Sequence, residues 1–76
     1  MTEMEYMRFI GRNIKQLLDE YPMTQEELAE KIGVNKGTIS RYINAERMPS
    51  VKNIVNIAYI LECDITDIIE IYGKIS

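Results

Sequence analysis

Two short amphipathic segments, each with its own start signal and parted by one glycine, constrain this chain more than any other feature: residues 23–49, MTQEELAEKIGVNKGTISRYINAERMP. Thr24 stands three residues before Glu27, the spacing of a capping box in which hydroxyl and carboxylate satisfy free N–H groups reciprocally. Met23, just outside that cap, pairs with Leu28 as a hydrophobic staple. The second start repeats the arrangement, with Asn35 as the cap and Val34 and Ile39 as the staple. Gly33 falls between the two, where the chain needs a residue that tolerates positive φ. The spacing therefore predicts helices over Gln25–Ile32 and Lys36–Ile43 with a tight turn between them.

The flanking sequence predicts three further helices. Met7, Ile10, Ile14, Leu17, Leu18 and Tyr21 recur as one apolar stripe, so a first helix should run from about Met4 to Glu20 and stop before Pro22. Gly11 within it costs roughly 1 kcal/mol against alanine and suits close packing against a neighbour. Tyr6 and Phe9 fall off the stripe and read as exposed aromatics or as part of a partner surface. After the loop AERMP, Ser50 caps a fourth helix from Val51 to about Glu62, with Val51, Ile54, Val55, Ala58 and Leu61 as its stripe and Ile57 and Ile60 widening it. Asp64 opens a fifth, in which Ile65, Ile68, Ile69 and Tyr72 repeat and Gly73 makes a stop. The expected fold is all-α, five helices in one domain over residues 1–76.

Bulk properties narrow the function. A single cysteine, Cys63, allows no intrachain disulfide and no zinc framework, and it reads as a small packed hydrophobe. With no histidine, no metal-ligand cluster and no glycine-rich phosphate loop, an enzyme has little to work with, and no cofactor is expected. No apolar run is long enough to span a membrane and the N-terminus carries acids, so a cytoplasmic protein is the simplest expectation. Net charge is −3, yet the cations are unevenly placed. Residues 36–52 hold Lys36, Arg41, Arg47 and Lys52 against Glu46 alone, while residues 16–35 carry five acids against Lys31. Charges beyond about 8 Å are screened at physiological salt, so the local balance governs contact with a polyanion.

Two helices joined by a glycine turn make a helix-turn-helix, whose second helix is the one offered to DNA. The stretch resembles the helix-turn-helix of the phage-repressor family (Cro-like and XRE-type regulators). That family's pattern is matched by Thr24, Gln25, Leu28, Ala29, Ile32, Gly33, Val34, Ile39, Ser40, Asn44 and Pro49, and the match continues over roughly residues 8 to 70. The resemblance implies a five-helix lambda-repressor-like DNA-binding domain, with helices two and three as the helix-turn-helix. It also implies a site of Gln25, Asn35, Lys36, Gly37, Thr38, Ser40, Arg41, Asn44 and Arg47. Gln25 would reach a phosphate beside the positive end of its helix. Lys36, Ser40 and Arg41 would face base edges in the major groove, and Asn44 and Arg47 would hold phosphates. Thr38 would meet a thymine methyl or a phosphate, or support the cap. Gly37 would admit close backbone approach, or be tolerated in a first turn.

Two positions depart from the family pattern. Asn44-Ala45 stands where Asn-Gly is usual, so Asn44 is expected to take the left-handed conformation and end the helix one residue sooner. Leu18 and Ile43 occupy positions where the family often pairs Arg with Glu; a coordinated exchange of an ion pair for apolar packing leaves the fold intact. The function implied is a sequence-specific regulator of transcription binding double-stranded DNA, a repressor. Since one module reaches one half-site, a homodimer is expected. Ile71, Tyr72 and Ile75 are its candidate interface, or else residues that complete the core or lie loosely at the chain end. The alternative is a protein-interaction module, such as an antitoxin or antirepressor, that keeps the fold.

Overall fold

A computed structural model of the chain describes residues 1–70, and these form five helices and no strand. They are α1 (Glu3–Glu20), α2 (Gln25–Ile32), α3 (Lys36–Ile43), α4 (Val51–Ile60) and α5 (Ile65–Ile69). α1 packs against α3 and α5, α2 against α3 and α4, and α4 against α5.

The start signals explain the helix starts. Thr24 Oγ1 accepts the Glu27 N–H at 3.0 Å and Glu27 Oε1 accepts the Thr24 N–H at 3.1 Å, the reciprocal capping box. Asn35 Oδ1 and Ser50 Oγ cap α3 and α4. Thr2 and Glu5 make a further box that starts α1 one residue earlier than its apolar stripe suggests. At the other ends, α2, α3 and α4 close in one pattern: a left-handed residue follows the helix, and two backbone N–H groups turn back to its last carbonyls. Those residues are Gly33 at φ 79°, Ala45 at φ 59° and Glu62 at φ 53°. Asn44 itself has φ −86°, ψ 7°, so the expectation that it would be left-handed is overturned. Ala45 takes the conformation instead, because this alone lets Ala45 N–H reach Tyr42 O at 3.2 Å and Glu46 N–H reach Arg41 O at 2.8 Å.

The buried core is Ile10, Ile14, Leu18, Leu28, Ala29, Ile39, Tyr42, Ile57, Ala58, Leu61 and Ile68. Gly11 lies within it at the crossing of α1 and α3. A Cβ there would meet the carbonyl oxygens of Ile43 and Tyr42 at 2.5 and 2.6 Å, so only glycine permits the approach. Tyr42 is buried, and its hydroxyl accepts the Asn53 amide at 2.7 Å, tying α3 to α4. Leu18 is buried and Ile43 half-buried, both lining one cleft beside Met23, so apolar packing occupies the place of the family's ion pair. Cys63 is half-buried against the core, and burial pushes its thiol pKa up.

Three apolar assignments change. Tyr21 is exposed rather than part of the α1 stripe, and its hydroxyl donates to Glu62 at 2.7 Å. On α4 the inward residues are Ile54, Ile57 and Ala58, followed by buried Leu61 at its C-cap, while Val51 and Val55 are exposed along with Tyr59. With apolar residues nearly all round α4, periodicity alone does not choose the face; the positions of α2 and α5 do. Tyr6 is not an exposed aromatic but half-buried. It packs on the core and donates its hydroxyl to Ile69 O at 3.0 Å. Phe9 is half-buried, with the Arg12 guanidinium 5.6 Å from its ring centroid.

The fifth helix also ends earlier than its periodicity suggests. Asn13 Nδ2 donates to Ile68 O at 2.8 Å and to Glu70 O at 3.0 Å, and with Tyr6 it claims carbonyls at the end of α5. Glu70 is extended at φ −83°, ψ 149°. The expected stop at Gly73 and the candidate interface residues Ile71, Tyr72 and Ile75 lie outside the described residues.

Candidate nucleic-acid interface

α3 presents a short polar surface without a single acid: Lys36, Gly37, Thr38, Ser40 and Arg41. Lys36 and Arg41 are exposed, and Gly37, Thr38 and Ser40 are half-buried. Ile39 and Tyr42 on the opposite side are buried at 0% and 3% exposure, which fixes the rotation of the helix and turns the polar side to solvent. The Tyr42–Asn53 bond and the Gly11 crossing hold α3 at its C-terminal end.

The candidate residues fall into small groups. Asn35 Oδ1 accepts both the N–H and the hydroxyl of Thr38, at 2.9 and 3.2 Å, so the hydroxyl of Thr38 supports the cap. Only the amide nitrogen of Asn35 is then left as a donor for a ligand. A Cβ on Gly37 would stand 3.4 Å from Arg41 Nη1 and 3.1 Å from Asn35 Oδ1. A side chain at position 37 would therefore press on the capping oxygen of Asn35, while meeting the Arg41 guanidinium only at ordinary contact distance. Asn44 Nδ2 donates to Ser40 Oγ at 3.4 Å, linking the helix to the loop behind it. Arg47 stands apart, exposed in the segment 44–50.

Gln25, half-buried as the first residue of α2, and Asn44 line one open groove of about 440 Å³. Ile43 and Ala45 line it too, and its other wall is α1, which contributes Arg8, Gly11, Arg12 and Lys15. These cations are not among the candidates the family pattern suggests. The cue that marks them in the sequence is their i, i+4, i+7 spacing, which places them along one side of a helix. Among the described residues no group of acids, histidines or cysteines could hold a metal ion, and no helix is long and apolar enough to cross a membrane.

Comparison with known proteins agrees with this architecture. A family model described as helix-turn-helix matches residues 14–68. An uncharacterized HTH-type transcriptional regulator of Archaeoglobus fulgidus is 35% identical over 66 residues, covering 80% of this chain and 94% of that protein. A stretch of the replication factor C small subunit of Methanocaldococcus jannaschii is 36% identical over 66 residues; it covers 87% of this chain, but this chain spans only 4% of that protein's length. Among solved structures, an SOS-response transcriptional repressor, LexA, from Eubacterium rectale superposes with a TM-score of 0.86 at 20% identity, over 97% of this chain and 79% of that one. The P22 c2 repressor, solved in complex with a synthetic operator, superposes with a TM-score of 0.76 at 21% identity, over 82% and 94%. At these identities the structural likeness is one of fold: the all-helical lambda-repressor-like helix-turn-helix domain, with α2 and α3 as the helix-turn-helix.

Proposed function

The chain belongs to the helix-turn-helix family, and from that premise we propose that it is a sequence-specific regulator of transcription that binds double-stranded DNA. It acts as a repressor by setting α3 into the major groove. The observation that carries this reading is the polar side of α3, where Lys36 and Arg41 are exposed, in a chain of net charge −3. Lys36, Ser40 and Arg41 read base edges, the two cations donating to guanine O6 and N7. Gln25, Asn44 and Arg47 hold phosphates and set the register. Asn35 and Thr38 shape the first turn and lend the Asn35 amide to the backbone of the duplex, and bare Gly37 lets that backbone approach the first turn closely. The P22 c2 repressor, of the same fold, was solved on an operator.

One such module reaches one half-site, so the working form is a homodimer on two half-sites about 34 Å apart. The candidate interface named from the sequence, Ile71, Tyr72 and Ile75, lies outside the described residues. The alternative, a protein-interaction module such as an antitoxin or antirepressor, draws on the acidic net charge.

Selecting tight binders from a random duplex pool tests the proposal. A reader enriches a defined sequence and loses affinity steeply as salt rises. No enrichment, with no salt-sensitive binding, favours the interaction module. On the selected sequence, Arg41→Ala should cost about 1–3 kcal/mol and relax the preference at one base position. Arg47→Ala should weaken all sequences similarly.

A further inference from the structure

The side of α4 turned away from α2 and α5 carries an apolar row that the fold leaves uncovered. Val51, Val55 and Tyr59 recur every four residues, the spacing of a ridge along which helices pack. Val51 is 79% exposed, Val55 43% and Tyr59 81%, and none of them is packed on the core. Charge sets the row apart as well. Lys52 is the one charged residue within α4, in a chain that holds 12 acids and 9 cations. Glu62 and Asp64, both exposed, follow the end of the helix.

We infer that this row is the surface on which two copies of the chain meet, α4 against α4 in antiparallel pairing about a two-fold axis at Val55. The inference rests on the DNA-binding reading above for two copies standing side by side, and names the surface that joins them. The row is complementary to itself. Val51 and Tyr59 each stand roughly 6 Å from Val55 along the helix. A two-fold axis at Val55 therefore lays the small Val51 of one copy against the large Tyr59 ring of the other, twice over. The same rotation brings Lys52, at the start of one helix, towards Glu62 and Asp64 beyond the end of the other. Two chains of net charge −3 repel, and α4 is a surface on which they touch without a helix acid at the contact. Three side chains fall short of the about 800 Å² per partner that a stable dimer buries. The pair is therefore weak in free solution and is completed on two half-sites, where one bound copy raises the local concentration of the next. The Tyr42 hydroxyl accepts the Asn53 amide at 2.7 Å and so ties the first turn of α4 to α3. Through that tie, the pairing sets the spacing of the two α3 helices.

The test follows the mass of the chain by sedimentation over a concentration series, and its affinity for duplexes carrying one or two copies of the selected half-site. The intact chain should shift from monomer towards dimer as concentration rises, and fill two half-sites cooperatively. Val55→Glu and Tyr59→Ala, both at exposed positions, should stay monomeric and lose the cooperative gain, with thermal midpoint and affinity for a single half-site unchanged. In a Cys63→Ser background, Val55→Cys should link two chains under mild oxidation, while Glu26→Cys on α2 should not. Variants that dimerise and cooperate as the intact chain does would place the joining surface elsewhere and overturn the inference, with the reading of α3 untouched. An intact chain that stays monomeric and fills two half-sites independently would overturn it too. A chain that forms the Val55→Cys link yet binds neither duplex would uphold the pairing and sink the DNA reading.

Discussion

Ala45 sits at φ 59° at the end of α3, in a conformation that disfavours any residue with a Cβ. The cost is about 1–2 kcal/mol, and removing its buried methyl would offset about 0.8 of that. Ala45→Gly should therefore stabilise the fold, by less than about 1 kcal/mol, seen as a higher denaturant midpoint with unchanged slope. A lower midpoint would mean that the methyl's packing outweighs the strain. Glu27 shows a second local effect. The backbone N–H of Thr24, first, and its side chain, second, hold the Glu27 carboxyl below its ordinary value of 4.5. A depressed folded pKa adds stability that is fully present above the unfolded value and is lost as pH falls through the folded one. Glu27→Gln should accordingly flatten the decline in thermal midpoint between neutral and acid pH. An identical decline in both proteins would remove the carboxylate from the cap.

α1 and α3 meet where Gly11 faces the Tyr42 and Ile43 carbonyls, and the contact decides how α3 is presented. On propensity alone, Gly11→Ala would stabilise α1 by about 1 kcal/mol. The crossing reverses the sign: the methyl has only backbone to displace, so the variant should lose about 1–3 kcal/mol and shift the amide resonances of residues 42–45. A gain in stability would show that the helices part freely. The other end of α1 controls α5. Asn13→Ala frees the carbonyls of Ile68 and Glu70 and should cost about 1–2 kcal/mol, with faster amide exchange in α5 than in α2. Uniform acceleration throughout would point instead to loss of global stability.

Across the molecule, charge is segregated rather than abundant. The acids of residues 16–35 and of the segment after residue 53 lie apart in sequence from the cations of α3 and its loop. A homodimer with this arrangement should select two-fold related half-sites about one turn apart. Enrichment of a single unrepeated half-site would count against pairing of two copies.

Short-range physics made much of this architecture readable in advance. Thr24 with Glu27, Asn35, Ser50 and Gly33 each act on atoms within a few residues, so the helix starts and the turn of the helix-turn-helix follow from the order of residues alone. The polar inventory of α3 and the local charge balance are equally properties of the order. What required the folded chain was every choice among equivalents. α4 is apolar nearly all round, and only its neighbours leave Val51 and Val55 outside. Ala45, rather than Asn44, turns left-handed because two N–H groups must reach Tyr42 O and Arg41 O. α5 stops at Ile69 because Asn13 and Tyr6, more than fifty residues away in the chain, claim its last carbonyls. The cationic wall of the groove likewise exists only where α1 is laid beside Gln25 and Asn44. Caps and periodicity are local energies; burial and the satisfaction of backbone carbonyls depend on which distant atoms arrive.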